Sequence, residues 1–121
     1  MDYTLSMRPP VLPIELETSL REYRRLLETE FGARLRSLRL FGSRARGDAD
    51  VDSDADVSVV VDQLTDEERG RVIDLALCAW RNAGRRGPLI SPLPWSEIER
   101  DMRRTSERRI ALDIDREGVP L

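Results

Sequence analysis

Residues 40–62 read LFGSRARGDADVDSDADVSVVVD, a glycine-punctuated turn, a ladder of aspartates and then a run of valines. The four valines of Asp56–Asp62 are β-branched and almost uninterrupted by polar residues, the composition of a strand covered on both faces. A carboxylate beside such a strand is costly to bury unless a cation or a hydrogen-bonding partner neutralises it. Asp48, Asp50, Asp52, Asp54 and Asp56 fall at every second position, so the ladder runs straight up to the strand. Asp54 and Asp56 stand two apart at its entry and therefore send their carboxylates to one face.

Upstream, Leu16, Leu20, Tyr23 and Leu27 recur at helical spacing, and Glu17/Arg21 and Arg24/Glu28 are placed as i,i+4 pairs on the opposite side. Pro13 opens this helix and Gly32 stops it. Residues 1–12 carry no period and are expected to form a loose arm, with residues 13–121 as one domain. RLRSLRLF, ending before Gly42, reads as a first strand. Downstream, Thr65-Asp66-Glu67-Glu68 is a capping box that opens a helix through Val72, Ile73, Ala76 and Trp80 to Gly84. GPLISPLPW is short, apolar and proline-containing, which predicts a third strand that lies at a sheet edge or breaks early. A second capping box, Ser96-Glu97-Ile98-Glu99, opens a helix towards Arg109, and the tail adds a further turn or two before Gly118. The order is α-β-turn-β-α-β-α: a small α/β domain with a short mixed sheet flanked by helices.

Composition narrows the chemistry. The 121 residues suit a single domain, and 36% of them are charged with a net charge of -3. No basic stripe marks a nucleic-acid surface. All basic residues are arginine, so no histidine base, lysine nucleophile or P-loop lysine exists. Cys78 is a lone cysteine in an apolar helix, read as a small core residue. Neither a signal-peptide layout nor a membrane-length apolar run is present, and a cytoplasmic protein is expected.

Two familiar loops fail to fit the aspartate ladder. A calcium loop needs glycine at its sixth position and glutamate at its twelfth. Counted from Asp48 these are Ser53 and Val59, and counted from Asp50 they are Ala55 and Val61. A P-loop needs lysine and serine or threonine after its second glycine, where Asp48 and Ala49 follow Gly47. A third arrangement fits. Gly42 turns the chain sharply as the first strand ends, and Ser43 begins a helical turn whose N–H groups and hydroxyl can hold phosphate oxygens. Asp54 and Asp56 then share a divalent cation, and magnesium favours few carboxylates together with substrate phosphates. The earlier acids lie in the connecting loop, where solvation accounts for them.

Gly42-Ser43, ten residues, then Asp54-x-Asp56 between two apolar strands resembles the minimal nucleotidyltransferases of the nucleotidyltransferase superfamily. Ala45-Arg46-Gly47, Ser53 and the ending REGVPL look like the same family, so the resemblance spans nearly the whole chain. It implies Asp54 and Asp56 as catalytic, magnesium-holding residues. It implies Gly42, Ser43 and Arg46 as the nucleotide-binding set, and ATP as the donor of a nucleoside monophosphate. Arg44 and Arg46 could each contact phosphates, and Arg46 could equally pair with Asp48–Asp52.

The family's usual third carboxylate, on the next strand, has no counterpart: GPLISPLPW holds no acid, and Ser91 is placed at the vacant position. Asp74, Glu97 and Asp101 read as solvated helix charges. Trp80 reads as core, whereas Trp95 could stack on a base or sit at a rim. By resemblance the expected function is an antitoxin that transfers AMP to a tyrosine of a HEPN-domain RNase toxin, with no nucleic acid or membrane bound. The missing acid keeps a second reading open, in which the fold neutralises that partner by binding alone. A third uses a small-molecule acceptor, against which the short chain argues.

Overall fold

The computed structural model describes residues 12–47, 49, 53–105 and 114–121. Helix α1 (Ile14–Phe31) leads through a 3-10 turn (Gly32–Arg34) into strand β1 (Leu35–Phe41) and a short helix, α2 (Ser43–Arg46). Strand β2 (Ala55–Val61), helix α3 (Asp66–Asn82), strand β3 (Ile90–Trp95), helix α4 (Glu97–Thr105) and a two-residue strand, β4 (Val119–Pro120), follow. The sheet order is β3-β2-β1-β4, with β2 and β3 parallel and the other pairs antiparallel. The small α/β architecture with a mixed sheet and flanking helices is thus as expected, and β4 is an addition to it. Two residues, one a proline, carry too little pattern to announce a strand; Leu121 N–H donating to Leu38 O at 2.8 Å fixes its place instead.

The helix starts follow from local chemistry. At α3 both halves of the box form: Glu68 N–H donates to Thr65 Oγ1 (3.1 Å) and Thr65 N–H to Glu68 Oε1 (3.2 Å). Ser96 and Glu99 repeat the exchange at the start of α4. Arg34 grips Glu68 with two 2.7 Å bonds and also reaches the Asp62 and Gln63 carbonyls, so one guanidinium closes the turn between β2 and α3. Those bonds, with the Thr65 N–H, hold the Glu68 carboxyl at about 2. Its contribution to stability is therefore complete above the ordinary carboxylate range and is lost as pH falls through that value.

The main core lies between one sheet face and helices α1 and α3. Leu16, Leu20, Tyr23 and Leu27 meet Leu38, Leu40, Val57, Val59 and Val61, with Val72, Leu75, Ala76 and Ala79 completing the layer. The inner stripe of α3 is 72-75-76-79, so Ile73 and Trp80 lie off it: Ile73 is exposed and Trp80 half-buried, its indole donating to Gly87 O (3.2 Å). Trp95 takes the core role instead. It is buried on the opposite face with Val60 and Ile114, and its Nε1 donates to Ser58 Oγ at 2.9 Å. Stacking on a base is closed to it.

Strand β3 stands at the sheet edge, as its prolines require. Leu89 O accepts from Ala55 N–H (2.9 Å), so residues 91, 93 and 95 turn their backbone towards β2 and Pro92 and Pro94 turn theirs outward. The outward Pro94 carbonyl accepts from Arg69 Nη1 (2.9 Å), and the same arginine bonds Glu99 of α4 (2.7 Å). No described helix is long and apolar enough to cross a membrane.

Tyr23 ties the two helices of the core: its buried hydroxyl donates to Val72 O at 2.8 Å. Tyr23→Phe removes a second bond from a carbonyl that the helix ladder already serves, and should cost roughly 0.5–1.5 kcal/mol in denaturant unfolding. Retention of full stability would show that the bond contributes nothing.

Candidate functional site at the head of the central strands

The site forms where β1 ends and β2 begins. Phe41 pairs with Asp56 in the antiparallel ladder, so the turn at Gly42 lies against the Asp56 side chain. Gly42 has φ +74°, and a Cβ added there would sit 2.5 Å from Asp56 Oδ2. Glycine is demanded twice over, by the left-handed backbone and by the carboxylate occupying the space. This is a cradle that only a missing side chain leaves open.

Helix α2 then begins at Ser43. Its hydrogen-bond ladder starts with Ala45 and Arg46 N–H to Gly42 O, both at 3.1 Å, so the N–H groups of Ser43 and Arg44 stand ahead of it. The Arg44 side chain is engaged inside the fold. It is buried, and its Nη2 and Nε donate to Ser53 O at 2.8 and 3.3 Å, which ties α2 to the residue preceding Asp54. The sequence offered no signal for this structural role beyond the arginine's place next to Ser43. Arg46 is exposed and pairs with Glu117 of the C-terminal segment, Nη1 to Oε2 at 3.6 Å. Of the acids proposed as its alternative partners, Asp48, Asp50 and Asp52 lie outside the described residues.

Asp54 is exposed and Asp56 half-buried, on the same side of the strand. Burial raises the Asp56 carboxyl above its usual range, the charge of Asp54 raises it further, and Arg46 pulls it part of the way back. Two carboxylates that interact in this way, one of them against an open glycine turn, match the donor set of a hard divalent cation. Asp54, Asp56, Gly42, Ser43 and Arg46 are therefore brought to one end of the sheet. Ser91 joins them: it is the Cα partner of Asp56 on β3 and exposed on the same face. Asp74, Glu97 and Asp101 do not reach this place in sequence order. Asp74 lies on the outer side of α3, Glu97 pairs with Arg36 (3.0 Å), and Asp101 is exposed on α4.

A family model described as "Nucleotidyltransferase domain" matches residues 20–113. Among solved structures, the chain is similar to a protein from Sulfolobus solfataricus provisionally assigned as a nucleotidyltransferase. The two share 19% identity with a TM-score of 0.43, over 91% of this chain and 87% of that one. No curated protein matches significantly.

Two outcomes follow from the Gly42–Asp56 contact and the charge pair. Gly42→Ala should cost roughly 1–3 kcal/mol of stability. Combining it with Asp56→Ala should recover at least about 0.5 kcal/mol of that loss, because the clash disappears and only the backbone strain remains. Strict additivity in a double-mutant cycle would disprove the contact. Asp56→Asn should raise the melting temperature of the cation-free protein at pH 7, since ionising a carboxyl whose folded-state pKa is raised costs the fold stability. That gain should shrink as pH falls through the raised pKa, and an unchanged or lower melting temperature would contradict the electrostatic picture.

Proposed function

Because this chain belongs to the nucleotidyltransferase domain family, we propose that it is a magnesium-dependent enzyme. Its role is that of an antitoxin, moving AMP from ATP to a tyrosine of a HEPN-domain RNase toxin. The observation that carries the transferase reading is the meeting of Asp56 with the Gly42 turn, with Asp54 beside it. The choice of acceptor rests on the resemblance of Gly42-Ser43, Asp54-x-Asp56 and the chain ending to minimal nucleotidyltransferases.

In this reading Asp54 and Asp56 hold magnesium. The bound metal neutralises charge on the triphosphate and on the entering and leaving oxygens. The protein's own share is positional. Ser43 N–H and Oγ and Arg44 N–H face the outer phosphates at the α2 turn, and Gly42 leaves room for the Asp56 carboxylate beside them. Arg46, kept near by Glu117, adds a positive charge next to the phosphates. Arg44 keeps Ser53, and so the start of β2, registered against that turn. The acceptor hydroxyl gives its proton to solvent as its oxygen attacks the α-phosphorus, the bond to the β-phosphate oxygen breaks, and pyrophosphate leaves. The partner docks from outside, in the cytoplasm, and neither nucleic acid nor a membrane is required.

Ser91 beside Asp56 favours a second reading. A site with two carboxylates could keep the nucleotide as a structural ligand, and the fold would then silence its partner by contact alone.

Intact-mass measurement of a co-purified HEPN-domain partner, after incubation with this protein, magnesium and ATP, separates the two. Transfer should add one or more AMP masses, and the gain should vanish with Asp54→Asn/Asp56→Asn. An unmodified partner that is still bound and still inhibited would overturn the enzyme reading and leave the binding one.

A further inference from the structure

The two neighbours of Asp56 across the sheet differ in what they can offer a cation. On the β1 side stand Phe41 and Gly42, which bring no side-chain ligand. On the β3 side stands Ser91, exposed and in direct register, on the face that Asp54 and Asp56 share. The residues after it on that face are Leu93 and the buried Trp95, and the alternate positions are Ile90, Pro92 and Pro94. Strand β3 therefore supplies a neutral hydroxyl and no carboxylate. Among the described residues, no group of three or more carboxylate, thiol or imidazole side chains gathers anywhere.

We propose that this site takes one divalent cation, held by Asp54 and Asp56, and that Ser91 is the residue that sets the number. Two cations about 3.5–4 Å apart repel strongly and need a bridging carboxylate with further anionic ligands on each side. Among the described residues the protein's own carboxylates here are Asp54 and Asp56 alone, and any further anion would be a phosphate of the nucleotide. A serine hydroxyl adds no charge, and a hard cation loses little by keeping water in its place. Arg46 at the end of α2, held by Glu117, stands as a fixed positive charge that a second ion would have to oppose.

The inference rests on the proposed transferase reading and narrows its substrate class. With one cation and no carboxylate from β3, the acceptor side has no group at Ser91 able to accept a proton. A tyrosine phenol, which ionises near pH 10, asks less of such a site than an aliphatic alcohol does.

The number is measurable without turnover. Mn2+ is titrated into the intact protein with a non-hydrolysable ATP analogue, and bound ions are counted by electron paramagnetic resonance against the nucleotide alone. Wild type should bind one Mn2+ per chain with the spectrum of an isolated ion. Ser91→Asp should bind two and show the spin-coupled signal of a close pair. A coupled pair in the wild type would overturn the inference while leaving Asp54 and Asp56 as ligands. A Ser91→Asp count that stays at one would remove Ser91 as the determinant. Absence of any protein-bound Mn2+ would overturn both the inference and the metal-dependent reading beneath it.

Discussion

The site depends on the pairing of β1 with β2. That antiparallel ladder buries Leu38 and Leu40 against Val57 and Val59, and at its upper end the same register brings Phe41 level with Asp56. The turn that must follow has room for a carboxylate only because Gly42 lacks a side chain. Packing and chemistry thus share one register. A slip of one residue would turn the valines outward and the aspartates inward together, so the core enforces the geometry of the site.

Arginines add to the support of that register. Arg34 closes the β2–α3 turn, Arg44 fastens α2 to the approach to β2, and Arg69 joins α3 to β3 and α4. Arg34 and Arg69 work through a planar fork that reaches carbonyls and carboxylates in two directions, and Arg44 closes its fork on the one Ser53 carbonyl, tasks for which lysine is poorly shaped. The abundance of arginine is therefore structural at several positions, whatever its origin in the sequence as a whole.

Features with a short-range cause were legible beforehand. Both capping boxes, the stop at Gly32 and the carboxylate pair follow from residues within one or two turns of each other, and the valine run announced β2 by its composition. The edge position of β3 was readable because two prolines cannot serve a central ladder. Features with a long-range cause were not. Trp95 and Trp80 exchange their expected roles because the burial of each depends on which face another segment covers. Arg44 is indistinguishable from Arg46 in sequence until the carbonyl of Ser53 is brought beneath it. Strand β4 exists through pairing with β1, and Gly118 permits it by a turn so tight that a Cβ would overlap the Ile114 carbonyl.

The two prolines of β3 also limit how copies of this fold can associate. Their outward backbone offers no N–H, while among the described residues the far side of the sheet is covered by the two residues of β4. Extension by strand addition is therefore directional. Two copies meeting through their β4 sides would turn proline edges outward at both ends, and growth would stop at a closed pair instead of continuing as a filament. A fold this small and this charged keeps a sheet without carrying the usual hazard of a two-sided template.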